Sequence, residues 1–196
     1  MLARVLASTG VALGLMASLA GSGSAAFADE PRDGARSESA LAQFVNRAHG
    51  YVRLRREATA DALPLEESAS PEQIRARERA LAATIRERRK AAKPGDVFGA
   101  ARGAILEIVR RDWRERTARE RTALADETPD VPAPEVNAAY PADLPYSTFP
   151  PELLEALPRL PEEIEYRFAG PHLILHDVEA NLVVDVAPDI LGGSDR

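Results

Sequence analysis

Prolines at 129, 132, 134, 141, 145 and 150 forbid regular helix across Asp126–Pro150 and divide the chain into two parts of different periodicity. Before this stretch, apolar residues recur every three or four positions. After it, they alternate. The order predicts an α+β chain: an N-terminal helical hairpin or three-helix arrangement, a Pro-rich strap, and a small C-terminal antiparallel β-meander. The expected division is 1–28 signal peptide, 29–36 polar linker, 37–125 helical region, 126–150 strap, and 151–196 short helix plus meander.

The helical part predicts three helices. The first starts at Ser37 or Ser39 and runs to about Ala60, with Leu41, Phe44, Val45, Ala48, Tyr51 and Val52 as one apolar stripe and His49 partly buried at its edge. The second has the sharpest start in the chain. Ser70 serves as N-cap, Pro71 as the first helical residue and Gln73 as the returning partner of a capping box. Its core positions are Ile74, Leu81 and Ile85, and Lys93-Pro94-Gly95 ends it. Asp96 then caps a third helix from Val97 to about Ala125, burying Phe98, Ala101, Ile105, Ile108, Val109 and Trp113. Glu107–Arg111, Asp112–Arg116 and Glu115–Arg119 have the spacing of helical ion pairs.

Within the strap, Val136, Tyr140, Leu144, Tyr146 and Phe149 are too apolar for a pure spacer and predict packing on the helices. A short helix over Pro151–Leu157, capped at or near Thr148 and stopped by Pro158, leads into three strands. These are Ile164–Phe168, His172–His176 and Leu182–Ala187, with turns at Gly170-Pro171 and Asp177–Asn181. Three short strands need a cover, so the meander is expected to dock on the helices or on a second subunit.

Residues 1–28 read as an export address. Arg4 precedes an apolar run, Val5–Ala20, and Ala26-Phe27-Ala28 forms an A-x-A cleavage site before Asp29. The run is too short and too rich in Gly, Ala and Ser for a membrane span. Cleavage after Ala28 leaves 168 of the 196 residues, and the destination is the periplasm or the medium. The chain has no cysteine, so it stands in an oxidising compartment without disulfides, thiol catalysis or zinc–thiolate sites.

Charge is unevenly distributed. Pro71–Ala125 carries 15 basic against 8 acidic residues, and Asp126–Arg196 carries 3 basic against 15 acidic. The basic half suggests a surface for an anionic ligand or an envelope protein, centred on Arg110, Arg111, Arg114, Arg116, Arg119 and Arg121. Nucleic acid is disfavoured by export and by the single aromatic, Trp113, within residues 110–121 where these arginines lie. Phosphate-loop, H-E-x-x-H, EF-hand and G-x-S-x-G signatures are absent, and no cofactor is implied.

Weaker chemical candidates remain. His172, His176, Asp177 and Asp185 are the residue types of a metal-binding or small hydrolytic site. Yet His172 and His176 are about 13 Å apart along one strand face and cannot share an ion alone, so they read as surface-facing. Ser147, His176 and Asp185 lack the spacing of a triad. Glu162, Glu163 and Glu165 lack the aromatic platforms of a carbohydrate cleft. Self-association through the meander is a third possibility.

The tail "VNAAYPADLPYSTFPPELLEALPRLPEEIEYRFAGPHLILHDVEANLVVDVAP", together with "LAQFVNRAHGYVRLRRE" and "KPGDVF", resembles a group of exported bacterial proteins with no assigned activity. The likeness covers most of the chain after Ala28. It implies export and the helix-plus-meander layout, and no reaction.

Overall fold

The computed structural model describes residues 30–60, 69–127, 132–140 and 149–190. Five α-helices precede a three-stranded antiparallel sheet of order β1-β2-β3. The helices are α1 (Glu30–Ala60), α2 (Pro71–Arg88), α3 (Arg102–Glu115), α4 (Ala118–Glu127) and α5 (Pro151–Ala156), with one 3₁₀ turn at Gly99–Ala101. The strands are β1 (Ile164–Ala169), β2 (His172–Asp177) and β3 (Leu182–Ala187). The α+β layout read from periodicity is therefore the observed one.

Helix α1 starts at Glu30, so the segment expected as a linker is helical from that residue. Its inner face is Phe44, Ala48, Tyr51, Val52, Arg55 and Ala58. His49, expected to be partly buried, is exposed. Helix α2 begins as predicted: Ser70 Oγ accepts from Gln73 N at 3.3 Å, and Gln73 Oε1 accepts from Ser70 N at 2.7 Å. Leu81 and Ile85 are buried, whereas Ile74, expected in the core, is half exposed because it belongs to the first turn, which overhangs the core.

The helix expected to run from Val97 to Ala125 is divided. Asp96 does not cap it; its carboxylate accepts from Lys93 N in a turn, and a 3₁₀ turn precedes α3. At Arg116 the backbone becomes extended (ψ 147°), and α4 follows. A second capping box causes the break: Thr117 Oγ1 accepts from Glu120 N, and Glu120 Oε2 accepts from Thr117 N at 2.7 Å. Of the three helical ion pairs expected, Asp112–Arg116 is the one found among the described residues, with two contacts at 2.7 and 3.0 Å. Glu107 instead reaches Arg114 at 3.0 Å.

One core joins the two layers. Phe44 stacks on Phe98 at 5.5 Å and on Tyr166 at 6.3 Å; Phe149 stacks on Tyr166 at 6.1 Å and on Phe168 at 4.9 Å. A ladder of rings thus runs from the helices to β1, placing the few aromatics where each adds contact beyond its buried area. Leu173, Leu175, Leu182 and Val184 extend this core along the sheet.

The opposite face of the sheet is also covered. Val136 and Tyr140 of the strap pack on Ala169, Ile174, Val183 and Val186. Asn137 N donates to Val183 O, Val183 N to Ala138 O, and Tyr140 N to Asn181 O, so the strap occupies the β3 edge there. Leu144, Tyr146 and Thr148 lie outside the described residues. The cap of α2 gives a direct check: Ser70→Ala should lower the unfolding free energy by about 1 kcal/mol in urea titration without changing the slope.

Candidate functional site

Four polar residues of the meander, His172, His176, Asp177 and Asp185, are buried. Asp177, at the end of β2, has no exposed surface. Its Oδ2 accepts from Tyr51 Oη at 2.7 Å and Arg55 Nε at 2.9 Å, and its Oδ1 accepts from Ala180 N at 2.9 Å. Arg55 also donates to Glu179, which in turn pairs with Arg77 at 3.2 Å. Helices α1 and α2 are thereby tied to the turn between β2 and β3. Asn181 closes that turn at φ 46°, a left-handed conformation that asparagine accepts readily.

Tyr51, Arg55 and Glu179 are each tuned by their surroundings. Burial first, and the adjacent Asp177 carboxylate second, push the Tyr51 phenol far above its ordinary range, so it remains a proton donor. Burial works against the Arg55 charge, but Asp177 and Glu179 outweigh it and raise its pKa. For Glu179, burial is likewise outweighed by hydrogen bonds from Arg55 and Arg77, and its pKa is lowered.

Asp185 forms a second anchor. It too is fully buried, and four backbone N–H groups surround it: Gly95 at 2.6 Å and Val186 at 2.8 Å on Oδ1, Val97 at 2.7 Å and Phe98 at 2.8 Å on Oδ2. Burial raises its pKa, and the N–H groups oppose that only in part. Simple alternation along β3 would put Asp185 on the same side as Val183, beneath the strap. The observed pairing is Leu175 with Asp185 and His176 with Val183, so Val184 is the extra residue of a β-bulge. The bulge reverses the phase and turns Asp185 toward the 95–98 loop.

The histidines expected at the surface are buried, His176 beneath Tyr140 of the strap and His172 beside Asp189. His176 is 3% exposed; Nδ1 lies 3.2 Å from Glu165, Nε2 3.2 Å from Asn181 Oδ1, and the Tyr140 ring meets it edge-on at 5.4 Å. His172 Nδ1 accepts from Asp189 N at 3.0 Å. His172, His176, Asp177 and Asp185 are therefore not brought together. The aspartates bond to helices and loop on one side, and the histidines lie among groups on the other. Among the described residues, no three His, Asp or Glu side chains are arranged to hold a metal ion. Ser147 lies outside the described residues, and Glu163 bonds to Arg56 at 2.7 Å.

The six arginines singled out in the basic half lie on α3, α4 and the break between them. Arg116 is engaged with Asp112, Arg114 with Glu107, and Arg121 caps α3 by donating to Arg116 O at 2.6 Å. Arg110, Arg111 and Arg119 are exposed and form no ion pair among the described residues. No described helix is long and apolar enough to cross a membrane. Comparison of the chain with protein-family models, curated proteins and solved structures finds no match.

Two outcomes follow from the anchors. Both Asp185 oxygens accept N–H bonds, so an Asn amide would set a donor against a donor. Asp185→Ala and Asp185→Asn should each destabilise by about 2 kcal/mol or more, with faster hydrogen exchange at the Val97 and Phe98 amides. A carboxyl whose folded-state pKa is depressed stabilises the fold above its unfolded value and loses that contribution as pH falls through the folded one. The share of the unfolding free energy that Glu179 supplies should therefore be lost as pH falls below about 4.5, so the stability gap between the parent and Glu179→Gln should narrow there. Asp185, with its raised pKa, works in the opposite direction.

Proposed function

We propose that the chain is an exported, non-catalytic binding module that takes an anionic partner on the arginine-rich surface of α3 and α4. The observation that carries this reading is a contrast in how charges are used. The carboxylates and imidazoles of the meander are engaged inside the fold, with Asp177, Asp185 and His176 each held by named protein groups. Arg110, Arg111 and Arg119 instead face solvent without a carboxylate partner among the described residues. The N-terminal apolar run with its A-x-A site, the lack of cysteine and the resemblance of the tail to exported proteins support placement in the periplasm or the medium.

Exposed arginines contribute most to association when several act together on a polyanionic surface, and salt weakens that attraction. Two measurements test the reading. Mass spectrometry of the native protein should find Asp29 at the N-terminus; an intact Met1 in cytosolic material would contradict export. Arg110→Glu/Arg111→Glu/Arg119→Glu should lower binding to phosphatidylglycerol vesicles or to dextran sulfate at least about fivefold at low salt. Arg75→Glu/Arg79→Glu/Arg159→Glu, with the same change in net charge, should not. Equal loss in both triple variants would leave only net charge and overturn the assignment of a face.

A further inference from the structure

Most arginines of α1 and α2 that approach an acid are paired with it: Arg55 with Asp177 and Glu179, Arg56 with Glu163, Arg77 with Glu179, Arg88 with Glu57. Three others behave differently and share one place. Arg47, Arg53 and Arg89 line an open groove of about 480 Å³ between α1 and the loop that follows α2, with Asn46, Gly50, Tyr51, Leu54, Asp96 and Val97. The only acid in this lining is Asp96, whose carboxylate accepts from Lys93 N at 2.8 Å.

Among the described residues, none of the three guanidinium groups contacts a carboxylate. Arg89 donates to Asn137 Oδ1 at 2.8 Å and to Val184 O at 2.9 Å, both neutral, and lies over the Tyr51 ring at 5.0 Å. Arg47 meets only the neutral Gln43 Oε1, at 3.5 Å. Arg53 has no hydrogen bond or ion pair among the described residues.

Backbone geometry makes room for these groups. Gly99 has φ +49°, and a Cβ there would come within 1.7 Å of Arg47 Nη1. Any side chain at 99 would thus drive Arg47 out of its place as well as strain the backbone. At Gly50 a Cβ would meet Arg53 Nη2 at 3.6 Å, an ordinary contact, so only Arg47 depends on a glycine for its place. Arg89 is fixed on a tyrosine face.

We propose that this groove binds a small organic phosphate through Arg47, Arg53 and Arg89. Three guanidinium groups against one carboxylate leave a charge that a phosphomonoester dianion balances, and the guanidinium fork matches phosphate oxygens. Leu54, Val97 and Tyr51 in the lining provide an apolar wall for the organic part, and the volume is that of a small-ligand site. This site is separate from the α3–α4 surface and stands whether or not that surface binds anything.

The test uses the full chain after Ala28 and two probes, phenyl phosphate and phosphatidylcholine vesicles containing phosphatidic acid. Calorimetry should show saturable binding of phenyl phosphate, weakened at least about tenfold by Arg53→Gln and by Arg47→Gln and unchanged by Arg79→Gln. Gly99→Ala, if folded by circular dichroism, should weaken it similarly through Arg47. Binding confined to the vesicles, and lost in Arg53→Gln, would identify the phosphate as that of a lipid headgroup. Absence of binding to both probes, or binding indifferent to Arg47 and Arg53 in folded variants, would overturn the proposal.

Discussion

The buried Asp177 carboxylate holds the two layers of this protein in register. It terminates β2, and its partners Tyr51 and Arg55 lie one helical turn apart on the inner face of α1. An unpaired charge in such a place would be very costly, and even a paired one repays its desolvation only with good geometry and full hydrogen bonding. Asp177 meets that condition with three donors. The ring ladder from Phe98 to Phe168 is non-directional and tolerates sliding; the Asp177 cluster does not. It specifies which face of the sheet meets α1 and where along the helix it sits.

Asp185 repeats the logic with backbone in place of side chains. Residues 95–98 run between α2 and α3 and must turn sharply, leaving N–H groups without helical partners. A carboxylate brought across by the bulge at Val184 collects them. The same segment forms one wall of the arginine groove, so the anchor that shapes the loop also sets the position of Gly99 against Arg47. Sheet, loop and groove form one mechanical chain.

What could be read from sequence follows the range of each interaction. The Ser70–Gln73 capping box and the three strands are local, and they stand as read; the strap, expected on the helices, instead lays Val136 and Tyr140 on the sheet. The break at Thr117 was also written locally, as T-x-x-E, but strong helix formers on both sides masked it. The burial of His176 depends on Tyr140 of the strap and that of His172 on the chain returning at Asp189, neither of which alternation in β2 encodes. Tyr51 and Asp177 are 126 positions apart, and nothing nearby announces their bond. Asp185 is harder still, since one bulged residue reverses the side on which it lies. In sequence Arg47, Arg53 and Arg89 look like ordinary solvated helix residues; only the fold brings the loop after α2 alongside them to make a groove.

Assigning the meander's acids to structure rather than chemistry makes a quantitative demand on their coupling to α1. The most direct measurement is a double-mutant cycle in urea with Asp177→Asn and Arg55→Met. Residues sharing a buried network should be non-additive by about 2 kcal/mol or more, most of the loss appearing in either single variant. Additivity within about 0.5 kcal/mol, with Asp177→Asn as stable as the parent, would contradict the account and release Asp177 for another role.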